Sequence, residues 1–401
     1  MFTRRLCVSW AYGLVLLCGC SDSSRDSGDG GVPKSGSSGS EQPVSGTSAA
    51  SGAGGAGSKA ESGRGAGGAG RVAPGGRGGS AASGGGSGGA GQDLDAGAAD
   101  GGGSAPAPVQ SLICASGASY GDPLPSNRTA TLIKMGFGFL EGPVWIAESS
   151  VLLFSDMNFD TSNNPNGPDS VTRRLKLPDQ IDVLVPMSGS NGLALGLEGG
   201  VIAATHDVQS LSKFDPRTGA REMLNLRYQG KRFNSPNDLA VRSDGNIYFS
   251  DPDWQLGPRQ SETMMTGLYR VAPNGEVSLV DGSLDKPNGV AISPDERTLY
   301  AGSNGSDIRS YALDTSGAAA AGKKFATTGS SDGMSIDCAG NLYVVSGTIE
   351  VFASSGTKLG DISVPETPSN VAFGGPQQKT LFITAQTGLY KIELNVPGRA
   401  Y

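Results

Sequence analysis

Six times between Glu141 and Asn370 the chain sets an acid or amide residue a few positions ahead of an apolar strand that ends in small or polar residues. The stretches begin EGPVW at Glu141, NGLAL at Asn191, NDLAV at Asn237, NGVAI at Asn288, DGMSI at Asp332 and NVAFG at Asn370. Strand centres near Leu152, Ile202, Ile247, Leu299, Leu342 and Leu381 recur at the roughly 40–50 residue period of β-propeller blades. A unit of this size cannot close a core alone, so neighbours must stack to bury their apolar faces. Turn signals such as Asp244-Gly245-Asn246 and Pro273-Asn274-Gly275 separate short strands, and further strands follow at Gly267, Ile308, Thr348 and Gly388. No helical period is sustained from Glu141 onward. The pattern predicts an all-β fold, a six-bladed β-propeller of four-stranded blades around a central channel. A β-sandwich is the alternative, but six in-register repeats are hard to place in one.

The repeat occupies only part of the 401 residues. Residues 1–20 carry Arg4 and Arg5, then an apolar run through Val8 to Leu17, too short for the ~20 residues that cross a bilayer. This reads as an export signal. Leu17-Cys18-Gly19-Cys20 resembles the lipobox of bacterial lipoproteins, which would make Cys20 the lipidated first residue of the mature chain; an ordinary signal peptide cut nearby is the alternative. Residues 21–108 are almost wholly Gly, Ser and Ala and cannot bury enough surface to offset the entropy of ordering. A disordered tether of that kind spans about 50 Å by the ~5–6 Å × √n rule. The folded domain is expected over 109–401, on a protein lipid-anchored in the cell envelope, at the outer membrane or in the periplasm. It touches the membrane only through that anchor and is expected as a monomer. A net charge of −7 and a pI near 4.9 argue against a nucleic-acid partner. Cys114 and Cys338 are left as a pair that an exported protein could oxidise, and sequence leaves open whether they bond.

If the six headings share a register, they share a depth and converge on the channel axis. Glu141 and Asp332 with Asn191, Asn237, Asn288 and Asn370 then form an oxygen-only site carrying about two negative charges. A hard divalent cation wants such a site, and Ca²⁺ accepts amide carbonyls among its 6–8 oxygens. Calcium is the first choice, with Mg²⁺, Mn²⁺ or Zn²⁺ as further candidates. Zinc prefers His or Cys, and the one histidine is His206. Any single Asn could instead make an Asx-turn ahead of its strand, but six in register, with Glu141 among them, favour the ring.

The motifs Glu141-Gly-Pro-Val-Trp145, Asn234-Ser-Pro-Asn-Asp238, Ser250-Asp-Pro252, Pro287-Asn-Gly289, Ser293-Pro-Asp295, Asp332-Gly-Met334 and Ala372-Phe-Gly-Gly375 resemble the gluconolactonase and regucalcin (senescence marker protein) family. The resemblance runs from about Gly136 to Tyr390. It implies a six-bladed propeller with a divalent cation held by Glu141, Asn288 and Asp332, and with Asn237 between metal and substrate. It implies hydrolysis of sugar-type lactones, a small-molecule substrate, with Asp332 taking the proton from water. Ser235 departs from regucalcin-like members, which carry an Arg two places before this Asn, so the sugar contacts of that branch do not transfer. Asn191, His206 and Asp251 are candidate substrate contacts; His206 could equally be structural, and Trp145 and Trp254 could stack a sugar or simply pack. A phosphotriester- or aryl-ester-cleaving calcium propeller and a non-catalytic calcium-stabilised binding propeller are the competing functions.

Overall fold

The computed structural model describes Cys114 and residues 118–399. The expected signal over 1–20, the tether over 21–108 and lipidation at Cys20 lie outside the described residues.

Among the described residues, 24 strands form six antiparallel four-stranded sheets, one per blade. The inner strands of blades 1 to 6 are Phe139–Ile146, Ser190–Leu195, Leu239–Val241, Pro287–Ile292, Met334–Ile336 and Pro368–Gly374. The extra strands expected after four of the units become the third strands of blades 3 to 6: Gly267–Val271, Asp307–Ala312, Ile349–Phe352 and Gly388–Glu393. Blade 6 takes its outer strand, Thr131–Met135, from ahead of blade 1, pairing it with Gly388–Glu393. That exchange closes the ring between its first and last blades. The repeat does not announce this strand, because its side chains are mostly exposed and carry no core pattern.

The core lies between blades rather than inside any one of them. Between blades 2 and 3, Ile202, Leu211, Phe233, Leu239, Phe249 and Tyr269 form one cluster. Phe233 meets Phe249 and Tyr269 edge-on at 4.9 and 5.1 Å between ring centres. Between blades 6 and 1, Trp145 stacks on Phe382 at 5.5 Å, which makes it a packing residue. Full burial of such a side chain contributes about 1.5–3 kcal/mol, and here each contribution needs the neighbouring blade.

The two ends of the channel are built differently. Inner strands start at one face and end in tight turns at the other, and the C-terminal segment lies across those turns. Cys338 N–H donates to Pro397 O at 2.8 Å, Gly398 N–H to Gln378 O at 2.7 Å, and Arg399 N–H to Ile336 O at 3.2 Å. The Arg399 guanidinium donates to Ser293 O at 2.5 Å and pairs with Glu296. On this face Cys338 is disulfide-bonded to Cys114, with their Cα atoms 5.2 Å apart. The pairing that sequence left open is therefore made.

Candidate metal centre

The six headings sit where the inner strands leave regular pairing. Glu141, Asn191, Asn288 and Asn370 border register shifts, spanning Glu141/Val144, Ser190/Leu193, Pro287/Val290 and Pro368/Asn370. Asn237 and Asp332 precede their inner strands by two residues. A bulge bends the strand and re-aims side chains, so the first four are released from regular pairing, and the other two stand just ahead of it. Glycine follows four of them, and it lets successive blades approach closely. Gly192 N–H donates to Asn237 O at 2.6 Å, and Gly289 N–H to Asp332 O at 3.1 Å. A Cβ on Gly289 would lie 2.3 Å from Asp332 O, and one on Gly142 2.1 Å from Asn191 O. Gly142 also has φ +50, a conformation that costs glycine nothing.

Two of the four amides in the ring, Asn288 and Asn370, brace its carboxylates. Asn288 Nδ2 donates to Asp332 Oδ1 at 2.8 Å. Glu141 Oε2 accepts Asn370 Nδ2 at 3.1 Å and Gly142 N–H at 2.9 Å. Glu141 and Asp332 lie close enough for the Asp332 charge to act on Glu141. Asn237 is buried, with its backbone N–H on Ser250 O at 2.9 Å. The charge on Glu141 also feels a further carboxylate, one that the sequence reading missed.

That carboxylate is Asp238. It stands where four other units have glycine, and its Oδ2 accepts Val290 N–H at 3.1 Å. A search for one heading per unit passes over it, yet the signal was present: Asn237-Asp238 breaks the heading-glycine rule. The cluster therefore holds three carboxylates rather than two. Burial raises all three, to about 7 for Asp238. Glu141 is raised well above the carboxylate range, first by burial and then by repulsion from Asp332 and Asp238. Asp332 is raised by burial and by Asp238. Crowded buried acids of this kind call for protons or a cation.

The donors present fit a hard cation. Asn288 Oδ1 and both polar side-chain atoms of Asn191 are buried without a partner, where buried polar groups are normally paired. The two amide carbonyl oxygens, Asn288 Oδ1 and Asn191 Oδ1, make with the carboxylates an all-oxygen set suited to Ca²⁺ or Mg²⁺. Beside the ring, bordered by Asn370 and Gly142, a cavity of about 70 Å³ is lined by Asp238, Val290, Met334 and Arg399. Ordinary ligand pockets run to ~300–1,000 Å³, so it suits water or an ion. The headings themselves stand at the face where the inner strands start.

The remaining candidates stand on that face, at the ends of second strands. His206 is fully buried; its N–H donates to Gly189 O at 2.9 Å and its Nε2 lies 2.8 Å from Pro168 O. Burial lowers its pKa to about 4, so the ring is neutral near pH 7. Asp251, expected at the substrate, is turned to a structural task. Both of its carboxylate oxygens accept Asn234 N–H at 2.9 Å, which braces the segment leading into Asn237. Asp156 pairs with Arg173 at 2.6 Å and accepts Gly138 N–H.

Residues 139–387 match the family model described as the SMP-30/Gluconolactonase/LRE-like region. The chain belongs to this family. A gluconolactonase of Zymomonas mobilis is 35% identical over 283 residues, 64% of this chain and 79% of that protein. A pentonolactonase of Haloferax volcanii is 27% identical over 260 residues, 62% of this chain and 81% of that protein. Among solved structures, a gluconolactonase of Xanthomonas campestris superposes with a TM-score of 0.59 at 32% identity, over 67% of this chain and 89% of that one. The SMP-30/gluconolactonase match covers the propeller from the inner strand of blade 1 to the second strand of blade 6 and takes in all six headings.

Proposed function

We propose that the protein is a metal-dependent lactonase that opens sugar-type lactones at the channel mouth. The observation that carries this reading is Asn288 Oδ1, buried and unpartnered beside the braced carboxylates of Asp332 and Glu141. The gluconolactonase and pentonolactonase relatives support the lactone class. Glu141, Asn237, Asn288 and Asp332 would hold one divalent cation, calcium first, which when bound polarises the lactone carbonyl as a Lewis acid.

The chain's own residues do the rest. Asp332 is the base that takes the proton from the attacking water. Asn288 Nδ2, bound to Asp332 Oδ1, fixes the carboxylate's orientation. Burial and the nearby Asp238 raise the proton affinity of Asp332, opposing the drop that ligation to a cation imposes. General-base help of ~10²–10⁴ is enough for so reactive an ester. Asn191, with both amide atoms unpartnered, can meet the lactone, and Asn237 borders metal and substrate. Asp251 supports the Asn237 segment from behind.

The Cys114–Cys338 disulfide suits an oxidising compartment, which favours the reading of residues 1–20 as an export signal and of Cys20 as the lipid anchor. The test of function is a panel of aldonolactones, acyl lactones and an organophosphate, run on metal-stripped protein with Ca²⁺, Mg²⁺, Mn²⁺ or Zn²⁺ restored. Metal-restored turnover of aldonolactones above the other substrates is the expected result. Preference for the organophosphate, or no turnover with any metal, would overturn the reading.

A further inference from the structure

The cavity beside the ring is lined by residues of all six inner strands. On blade 1 the lining runs from Gly142, next to Glu141, to Ala147 past the strand's end; on blade 6 it runs from Asn370 to Gln378. It is therefore the stretch of channel between the ring and the far turns, and residues 396–399 lie across its end. Their backbone bonds to blades 5 and 6 at Ile336, Cys338 and Gln378. The Arg399 guanidinium reaches blade 4, at Ser293 O and Glu296. Glu296 in turn accepts Ser243 N–H at 2.9 Å and Ser243 Oγ at 2.5 Å, from the turn of blade 3. Four blades are thus tied across one opening. Gly398 sits so close to Phe373, another lining residue, that a Cβ would overlap its ring. The Arg399 side chain is 9% exposed and borders the cavity itself.

A guanidinium keeps its charge at any working pH. A divalent cation leaving by the far turns would have to pass it, and like charge in a poorly solvated channel opposes that passage. We propose that residues 396–399 plug the channel, with Arg399 as the charged stopper, so that a cation in the ring exchanges through the heading face alone and is retained longer. This rests on the cation reading of the ring and not on the choice of substrate.

Ca²⁺ release is read by stopped-flow mixing of the loaded full chain with a fluorescent chelator, and Kd by titration of the stripped chain. Arg399→Ala removes the stopper. Arg399→Gln removes its charge but keeps a donor for Ser293 O, should alanine not fold, and Arg399→Lys keeps the charge. With alanine or glutamine, release quickens about tenfold or more while Kd stays within about threefold, because a second route speeds entry and exit alike. Lysine releases nearly as slowly as wild type. Unchanged release with alanine and glutamine, faster release matched by an equally weakened Kd, or lysine as fast as alanine overturns the plug.

Met334 reads the plug without any cation. It lines the same cavity at 4% exposure, and hydrogen peroxide oxidises a thioether to the sulfoxide, leaving water. In stripped protein, mass spectrometry should find Met334 oxidised about tenfold faster or more in Arg399→Ala than in wild type. Met187 and Met264, 83% and 82% exposed, serve as references that react equally in both. Equal oxidation of Met334 overturns the plug. A wild type that binds no Ca²⁺ sinks the cation reading alone, since the oxidation comparison still decides whether the far end is closed.

Discussion

At the scale of residues, function concentrates in groups that the fold leaves crowded or unpaired. Asp332 is the plainest case, because an amide braces it and burial sets its proton affinity. Asp332→Asn keeps an oxygen towards the cation and loses the base. Its kcat should fall by roughly 10²–10⁴ while the melting shift on adding Ca²⁺ persists; an unchanged kcat with metal bound removes Asp332 from the role. His206 has a different consequence. Its folded pKa of about 4 lies below the unfolded 6.5, so the unfolded state binds the extra proton between those values and stability falls as pH drops through that window. Between pH 7.5 and 5 the share is about 2 kcal/mol at 1.36 kcal/mol per unit. Urea unfolding of wild type and His206→Gln at both pH values should differ in pH dependence by about that amount, and parallel curves would refute the assignment.

At the scale of elements, each inner strand is a spoke whose first residues belong to the ring and whose remainder belongs to the core. The bulges at the headings separate the two tasks, and the glycines let the spokes touch. Gly289 has ordinary backbone angles, so space alone forbids a side chain there. Gly289→Ala places a methyl against the Asp332 carbonyl, at a cost of about 1–3 kcal/mol, and it moves the Asp332 segment. The expected result is a lower melting temperature together with a Ca²⁺-induced shift at least halved; a fully retained shift would show that the ring tolerates the displacement. The headings were legible in the sequence because acids and amides recur ahead of apolar runs. Asp238 was passed over because a one-per-unit search stops at the heading amide Asn237 and discards the acid that follows it. The bracing role of Asp251 was hidden because its partner, the backbone N–H of Asn234, has no side-chain signature.

At the scale of the whole molecule, the period of the repeat was enough to specify six blades, since no other arrangement stacks six such units around one axis. The closing strand Thr131–Met135 and the C-terminal segment were not legible. The strand pairs with Gly388–Glu393 and the C-terminal segment bonds to distant turns, in both cases through backbone hydrogen bonds that leave no periodic trace in side chains. The disulfide was undecidable from spacing, because its cysteines lie 224 residues apart and only the fold brings them together. A cross-link closing so long a loop stabilises by typically about 2–4 kcal/mol, chiefly by restricting the unfolded chain. Cys338→Ser should lower the melting temperature by several degrees in oxidising buffer and make it insensitive to reductant, with lactone turnover at 25 °C unchanged. A melting temperature equal to that of wild type would mean that the bond contributes nothing to the fold.

The central claim is that the heading ring holds one catalytic divalent cation, and its most direct test is a titration of activity. Protein stripped with chelator is assayed on gluconolactone while Ca²⁺ is added back from zero to several equivalents. The predicted result is negligible enzymatic turnover at the start and full activity near one equivalent, with Glu141→Gln recovering only at far higher Ca²⁺. Undiminished turnover in the stripped protein, without any added cation, would contradict it.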